Sequence, residues 1–429
     1  MKKFLILLIS FVISFCAIIS APIYTVRAED GVISVGELTV HFIDVGQGDA
    51  CIVELPDNRT MLIDAGENKN SVKAKLDEYI TTNIKNGDNV IEYFDYVILT
   101  HSDSDHIGSM AYVLGKYPAK TVYRPNQECT YKECNDHANS GEEDRNRFWG
   151  DKHGSKSTAT YHNVLEAAYA NSDEVIVTNP YDNSQNKITS TNDDLYEINF
   201  YSPLSSYYSD NNNYSPIIVI EYNGRKIVLT GDAEKENEKE FVEAVGAGID
   251  PRYAVFDDTF CADVIKLGHH GSRTSSSEDY LNTVTKSDRR SGVFVIISCG
   301  EDNSYGHPHT EVLERLTKLG FSDDNILRTD LLSDIVITIT QMDGQYVAVY
   351  NGISGGSGGN TSGGSGNNQP SEKPNENPSE DDIGTSFPQP LIEFDYVKLA
   401  IIIVIVLVAI IIVAKISKPK KKGKRGKRK

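Results

Sequence analysis

Four side chains able to bind a metal ion fall within six residues of the segment Thr100-His101-Ser102-Asp103-Ser104-Asp105-His106. Two imidazoles and two carboxylates at that spacing suit a divalent cation such as Zn²⁺ or Mn²⁺. The segment follows the apolar run 93–99 and leads into a helical pattern. At such a turn alternate residues can share one cavity, so His101 and Asp103 can face one ion, and Asp105 and His106 a second. A helix cap would explain Asp103 or Asp105 alone, but a cap needs no histidines. Two later segments, Leu229-Thr230-Gly231-Asp232 and Leu267-Gly268-His269-His270-Gly271-Ser272, also end apolar runs. Asp232 stands where a carboxylate can bridge two ions, and His269 or His270 can add an imidazole. Asp64 closes another apolar run, in Leu62-Ile63-Asp64-Ala65-Gly66. It reads as an acceptor that orients a ligand histidine.

The elements that must position these groups are strands alternating with helices. Strand patterns occupy 38–45, 50–55, 60–64, 93–99, 217–222, 226–229, 262–267, 293–297, 335–340 and 346–350. Helical patterns occupy 71–84, 233–245, 276–284 and 310–319, and one opens near Asp105. That alternation predicts an α/β fold, in which sites collect at the carboxyl ends of strands. The polar stretch 124–157 reads as a surface insertion beside the site.

The ends of the chain carry different information. Residues 1–28 run from Lys2-Lys3 through an apolar segment to Val26-Arg27-Ala28, the order of a signal peptide, with an uncleaved anchor as the alternative. Residues 351–393 are rich in Gly, Ser and Pro, as in a flexible linker. Residues 396–416 hold an apolar run flanked by Lys398 and Lys415, short for a span but extended by snorkelling. The tail 417–429 continues a set of Lys and Arg without acids, which belongs on the cytoplasmic side. The sequence thus predicts a metal-binding α/β domain over 29–350, outside the cytoplasm, tethered by one C-terminal helix.

Charge follows that division. The chain holds 42 basic and 61 acidic residues, net −19. Setting aside Lys2, Lys3, Arg27, Lys398 and the ten basic residues from Lys415 onward leaves 28 basic against 61 acidic, or −33. Such a surface repels polyanions on average. Of the six cysteines, Cys129 and Cys134 are spaced for a local disulfide, while Cys51, Cys261 and Cys299 sit in apolar runs.

The motifs form a recognisable series. His41-Phe42-Ile43-Asp44-Val45-Gly46-Gln47-Gly48-Asp49-Ala50, Leu62 to Gly66, Thr100 to Gly108, Leu229 to Asp232, Gly268 to Ser272 and Tyr305-Gly306-His307-Pro308-His309 occur in this order. Together they resemble the metallo-β-lactamase-like domain of ComEC-type competence proteins, over about 38–350. The resemblance implies an αββα sandwich with a dinuclear metal site at one edge and phosphodiesterase or nuclease activity. It implies His101, Asp103, Asp105, His106, Asp232 and His269 or His270 as ligands. Asp105 would also orient the nucleophile or take its proton, and His307 would protonate the leaving oxygen or bind a substrate oxygen. Two departures stand out. Asp103 replaces the His usual in the wider superfamily, and a further His ligand is missing unless His137, His153 or His162 supplies it. The transmembrane channel of the competence proteins is also absent from this sequence.

Three functions compete at this stage. The first is a phosphodiesterase or nuclease acting on DNA or nucleotides. The second is a hydrolase of a cell-wall or small-molecule phosphodiester or ester. The third is a non-catalytic surface module that keeps a metal site. The acidic surface weighs against a nuclease, since phosphate binding usually relies on Lys and Arg. Bound cations would restore some attraction locally.

Overall fold

The computed structural model describes residues 36–339, except 87–88, 128–158, 179–185, 192–194, 206 and 249, together with strand segments at Arg27–Ala28, Gly31–Val32, Tyr346–Tyr350 and Ile353–Gly355. The chain divides after Thr361, and every described residue lies in the first unit.

In chain order, the unit begins with β1 (Leu38–Phe42), β2 (Cys51–Glu54), β3 (Thr60–Ile63), α1 (Asn70–Asn83), β4 (Phe94–Ile98), α2 (Ser104–Ile107), α3 (Met110–Lys116), β5 (Ala119–Arg124), α4 (Ala159–Ala170) and β6 (Ser172–Val177). It continues with β7 (Lys187–Thr189), β8 (Tyr196–Phe200), β9 (Ile218–Tyr222), β10 (Arg225–Leu229), α5 (Lys235–Ala247), β11 (Val264–Lys266), α6 (Glu278–Val284) and β12 (Phe294–Ile297). It ends with α7 (Thr310–Leu319), β13 (Ile326–Arg328), α8 (Thr329–Leu332), β14 (Ile335–Ile339), β15 (Tyr346–Tyr350) and β16 (Ile353–Gly355).

Two mixed sheets result. The first runs β6-β5-β4-β3-β2-β1-β14-β15-β16 and the second β7-β8-β9-β10-β11-β12-β13. Side-chain alternation along each strand explains the layering. In β3, Met61 and Ile63 enter one core and Leu62 another; in β12, Phe294 and Ile296 enter the shared core while Val295 and Ile297 turn away. The shared core lies between the sheets, and α1, α3 and α4 cover the outer face of the first with Leu76, Val113 and Leu165. On the second sheet α5, α6 and α7 do the same with Phe241, Leu281 and Leu316. This is the expected αββα order. Burying both faces of each sheet explains why the central strands read as continuous apolar runs.

Several expectations change. Arg124 is not the start of a surface insertion: it ends β5 and is fully buried, with Asn126 and Gln127 buried after it. The first sheet passes residue 350, because Ile353–Gly355 pairs with β15 where a linker was expected. β5, β6, β7, β8, β13 and α4 were not anticipated. The signal segment before Arg27, Cys129 and Cys134, most of the insertion, and the span and tail at 396–429 lie outside the described residues. Among the described residues, no helix is long and apolar enough to cross a membrane.

Candidate metal centre

The loops at the carboxyl ends of β3, β4, β10 and β11 converge at one edge of the sandwich. Backbone bonds lock them together: Asp64 N donates to Ile98 O (3.0 Å), Ala65 N to His106 O (2.7 Å) and Asp49 N to Asp105 O (3.2 Å). That last approach demands a glycine at 48, where φ is +140° and a Cβ would meet Asp105 O at 2.2 Å.

Hydrogen-bond partners assign the tautomer of each histidine. His106 Nδ1 lies 2.7 Å from Asp64 Oδ2, so it carries the one proton of the neutral ring, the form that binds a metal, whose Nε2 is then bare. His270 Nδ1 lies 2.8 Å from the Ser298 carbonyl, so its Nε2 is bare too. These two Nε2 atoms face each other at 3.3 Å. Asp232 closes on both, with Oδ1 3.1 Å from His106 Nε2 and Oδ2 3.3 Å from His270 Nε2. Asp105 Oδ2 is 3.4 Å from His270 Nε2. Two nitrogen lone pairs and two carboxylates meeting at one point repel unless a positive charge sits among them. The donor set and the convergence fit a divalent cation held by His106, His270, Asp232 and Asp105.

A second set adjoins it. Thr100 donates its hydroxyl to Asp64 Oδ2 (2.6 Å), so Thr100 Oγ1 accepts from His101 Nδ1 at 3.0 Å. His101 Nε2 is then bare, fully buried and without a hydrogen-bond partner among the described residues. The His101 and His106 rings are 4.2 Å apart. Asp103 belongs to the same loop, and its Oδ1 accepts from Asn211 Nδ2 at 3.0 Å. His101 and Asp103 thus flank the first set without joining its cluster of ligand-type atoms.

The structure distinguishes the paired histidines. His269 Nδ1 is occupied by Glu234 (3.1 Å) and Thr274 (3.1 Å), and its Nε2 is 3.8 Å from Asp232. His270, not His269, therefore enters the cluster directly. Asp64 lies behind His106, as an orienting acceptor would. His307 sits beside these rings, 5.3 Å from His269 and 5.9 Å from His270 between centroids. His162 is on α4, inside the helical layer, while His137 and His153 lie outside the described residues. Among the described residues, the loop Asn211 to Ser215 borders His101, and its Ser215 Oγ touches His101 Nδ1 (3.2 Å) and accepts from Asp232 N (3.1 Å).

Electrostatics favour positive charge here. Burial opposes charging His106 and His270, but Asp232 leads the carboxylates that outweigh it, and both pKa values rise well above the usual imidazole range. Burial pushes Asp232 up, yet His106 and His270 hold it well below the usual carboxylate range. Asp105 is likewise depressed, burial being overcome by His270 and His106. A field that draws protons to Nε2 also draws cations. His307 behaves oppositely: burial, then His270 and His269, push it down to about 4.

Two groups went unassigned in the sequence. Asp49, within the first motif, joins His106, Asp232 and His270 in a cluster whose ligand-type atoms lie within 4.8 Å of one another. Asp49 approaches Nδ1 of His270 (3.3 Å) and of His106 (3.8 Å), so it stands behind the rings rather than among their bare nitrogens. Lys266, fully buried in β11, pairs with Asp49 at 2.5 Å. Burial lowers its pKa, but Asp49 and Asp232 reverse the shift.

The family model described as the metallo-beta-lactamase superfamily matches residues 43–290. The chain is 29% identical over 301 residues to ComE operon protein 3 of Bacillus subtilis, covering 68% of this chain and 32% of that protein. It is 25% identical over 287 residues to recombination protein 2 of Haemophilus influenzae, covering 67% of this chain and 27% of the relative. The chain thus spans about a third of the length of these relatives. Among solved structures, the metallo-beta-lactamase fold protein YhfI of Bacillus subtilis aligns over 70% of this chain and 99% of its own, at 12% identity and a TM-score of 0.35. With the family model matching more than half of its residues, the chain belongs to the metallo-β-lactamase superfamily.

Proposed function

We propose that the chain is a metal-dependent phosphodiesterase held at a membrane, with its hydrolase domain outside the cytoplasm. The observation that carries the hydrolase reading is the meeting of the bare Nε2 atoms of His106 and His270 at 3.3 Å, closed by Asp232. Divalent cations there, Zn²⁺ or Mn²⁺, would polarise a phosphoryl oxygen and supply a nucleophile near neutral pH. Asp105 borders both this cluster and an adjoining groove, where its carboxylate can orient an attacking water. Gln47 Oε1 accepts from Gly300 N, so its amide nitrogen donates to His307 Nδ1 (3.2 Å). The neutral His307 ring then carries its proton on Nε2, ready to donate to a substrate oxygen. Support for the membrane tether is compositional: the apolar run in 396–416 and the basic tail.

A relative named for recombination makes DNA or a nucleotide a candidate substrate. A specific observation favours a compact phosphodiester instead. The groove beside Asp105, of about 830 Å³, is lined by Asp44, Glu67, Glu301 and Asp302. Its two lysines are engaged, Lys69 with Glu67 and Lys75 with Asp334.

The test uses the full-length chain in detergent, stripped of metal and reconstituted with Mn²⁺ or Zn²⁺. Substrates are bis-p-nitrophenyl phosphate, single- and double-stranded DNA and cyclic dinucleotides. Metal-dependent turnover that disappears in His270→Ala supports the reading. A metal-loaded chain that hydrolyses none of them transfers the bet to a non-catalytic binding module. DNA cleavage that weakens as salt rises favours a polyanion track over the compact substrate.

A further inference from the structure

Behind the metal centre lies a buried cation that the hydrolytic chemistry does not use. Lys266 points from the end of β11 toward the back of the cluster and is 4% exposed. An ammonium has three protons, and three acceptors meet it: Asp49 Oδ2 at 2.5 Å, Gly231 O at 3.2 Å and Leu267 O at 3.2 Å. Each acceptor belongs to a different loop of the site. Asp49 lies between β1 and β2, Gly231 directly precedes Asp232, and Leu267 leads into His269 and His270. Asp49 in turn faces the Nδ1 sides of His270 (3.3 Å) and His106 (3.8 Å), whose Nε2 atoms point the other way.

We infer that Lys266 is a positioning residue of the metal centre: its ammonium fixes Asp49 behind the two imidazoles and ties the Asp232 loop to the His270 loop. The inference rests on the metal reading of His106, His270 and Asp232. Two features make the tie consequential. Gly231 adopts φ +49°, and an added Cβ would stand 2.9 Å from Thr100 Cβ and 3.0 Å from Ser215, so the Asp232 loop is held in a crowded conformation. Without the ammonium, Asp49 is a buried carboxylate whose nearer imidazole nitrogen is His270 Nδ1, at 3.3 Å against 3.8 Å for His106 Nδ1. It would then compete with Ser298 O for that proton and turn the ring. Lys266 therefore acts on metal geometry through Asp49 and two carbonyls, and touches no substrate.

Co²⁺ serves as the probe, because its visible spectrum reports ligand number and geometry directly. Full-length wild type, Lys266→Met, Asp49→Asn and a remote core control, Leu165→Ala, are titrated with Co²⁺ after metal removal. The expected result is at least about tenfold weaker Co²⁺ binding in Lys266→Met, the scale for loss of a group that orients ligands. Its absorption bands should also change shape. Asp49→Asn, which keeps the ammonium and the side-chain volume, should change the bands in the same direction. Leu165→Ala should lower thermal stability but keep the wild-type spectrum. Wild-type affinity and bands in Lys266→Met overturn the inference. If Lys266→Met does not fold, Asp49→Asn decides alone, and wild-type bands there overturn it. Failure of wild type to bind Co²⁺ at all sinks the metal reading itself, a distinct result.

Discussion

Replacing Asp64 by Asn should cost the chain about 10- to 100-fold in metal affinity, although Asp64 touches no metal. The backbone tolerates the exchange, because Asp64 has φ 57° and Asn readily adopts left-handed geometry. The damage comes from donors and acceptors. Thr100 N (3.0 Å) and Thr100 Oγ1 (2.6 Å) both donate to the Asp64 carboxylate, and His106 Nδ1 donates at 2.7 Å. An Asn has one acceptor oxygen; kept on Thr100 N, it leaves the amide nitrogen in the place of Oδ2, which serves both Thr100 Oγ1 and His106 Nδ1. Its amide nitrogen would then face His106 Nδ1 and require an acceptor there. His106 would move its proton to Nε2, the atom that should bind the cation. Loss of such an orienting partner typically weakens metal binding by about 10- to 100-fold, which is about 1.4 to 2.7 kcal/mol. Competition against a chromophoric chelator, with Mn²⁺ or Zn²⁺ and the full-length chain, measures it. A change below about threefold would refute the tautomer argument.

Further expectations follow from the same geometry. Asp232→Asn removes the carboxylate between His106 and His270 and should lower phosphodiester turnover by at least about 100-fold; equal turnover in a variant that has lost metal would place the activity elsewhere. Because the folded pKa values of His106 and His270 are raised, metal-free stability from these groups is fully present below about pH 6.5 and is lost as pH climbs through the raised values. The metal-free melting temperature should therefore fall from pH 6 toward pH 9, and saturating metal should flatten that fall. At the acid end Asp49, depressed to about 2, contributes stability that is lost as pH drops below about 4 toward that value. Metal binding at pH 7 should release about two protons, read by calorimetry in buffers of different ionisation enthalpy, and zero release would contradict the assignment. Protease added to intact cells should liberate a soluble catalytic fragment by cutting within 351–393; a protected domain on an accessible surface would reverse the proposed topology.

The clustering of these side chains was legible because they are local or end long apolar runs. His101 to His106, Asp232 and the His269-His270 pair all follow strands whose apolar residues are buried on both faces. Other features depend on distant partners. His269 and His270 both take positive φ, 51° and 55°, and nothing local says which ring turns inward. Lys266 interrupts an otherwise apolar run, and its role depends on Asp49, far away in sequence. The Asn-rich loop before Ser215 looks like a linker, yet Asn211 reaches Asp103 and Ser215 reaches His101. β5 and β6 hid in a polar stretch because β6 is an edge strand with no buried residue and β5 alternates exposed and buried positions at its start.

The central claim is that a cation belongs between His106, His270 and Asp232. Anomalous X-ray diffraction at the metal edge, from crystals of the Mn²⁺- or Zn²⁺-loaded chain, tests it most directly. A peak is expected within about 2.3 Å of the Nε2 atoms of both histidines and of an Asp232 oxygen, with a second peak beside His101 and Asp103 about 3.5–4 Å away. Density absent from this pocket in a metal-loaded crystal, or bound through the Nδ1 atoms, would contradict it.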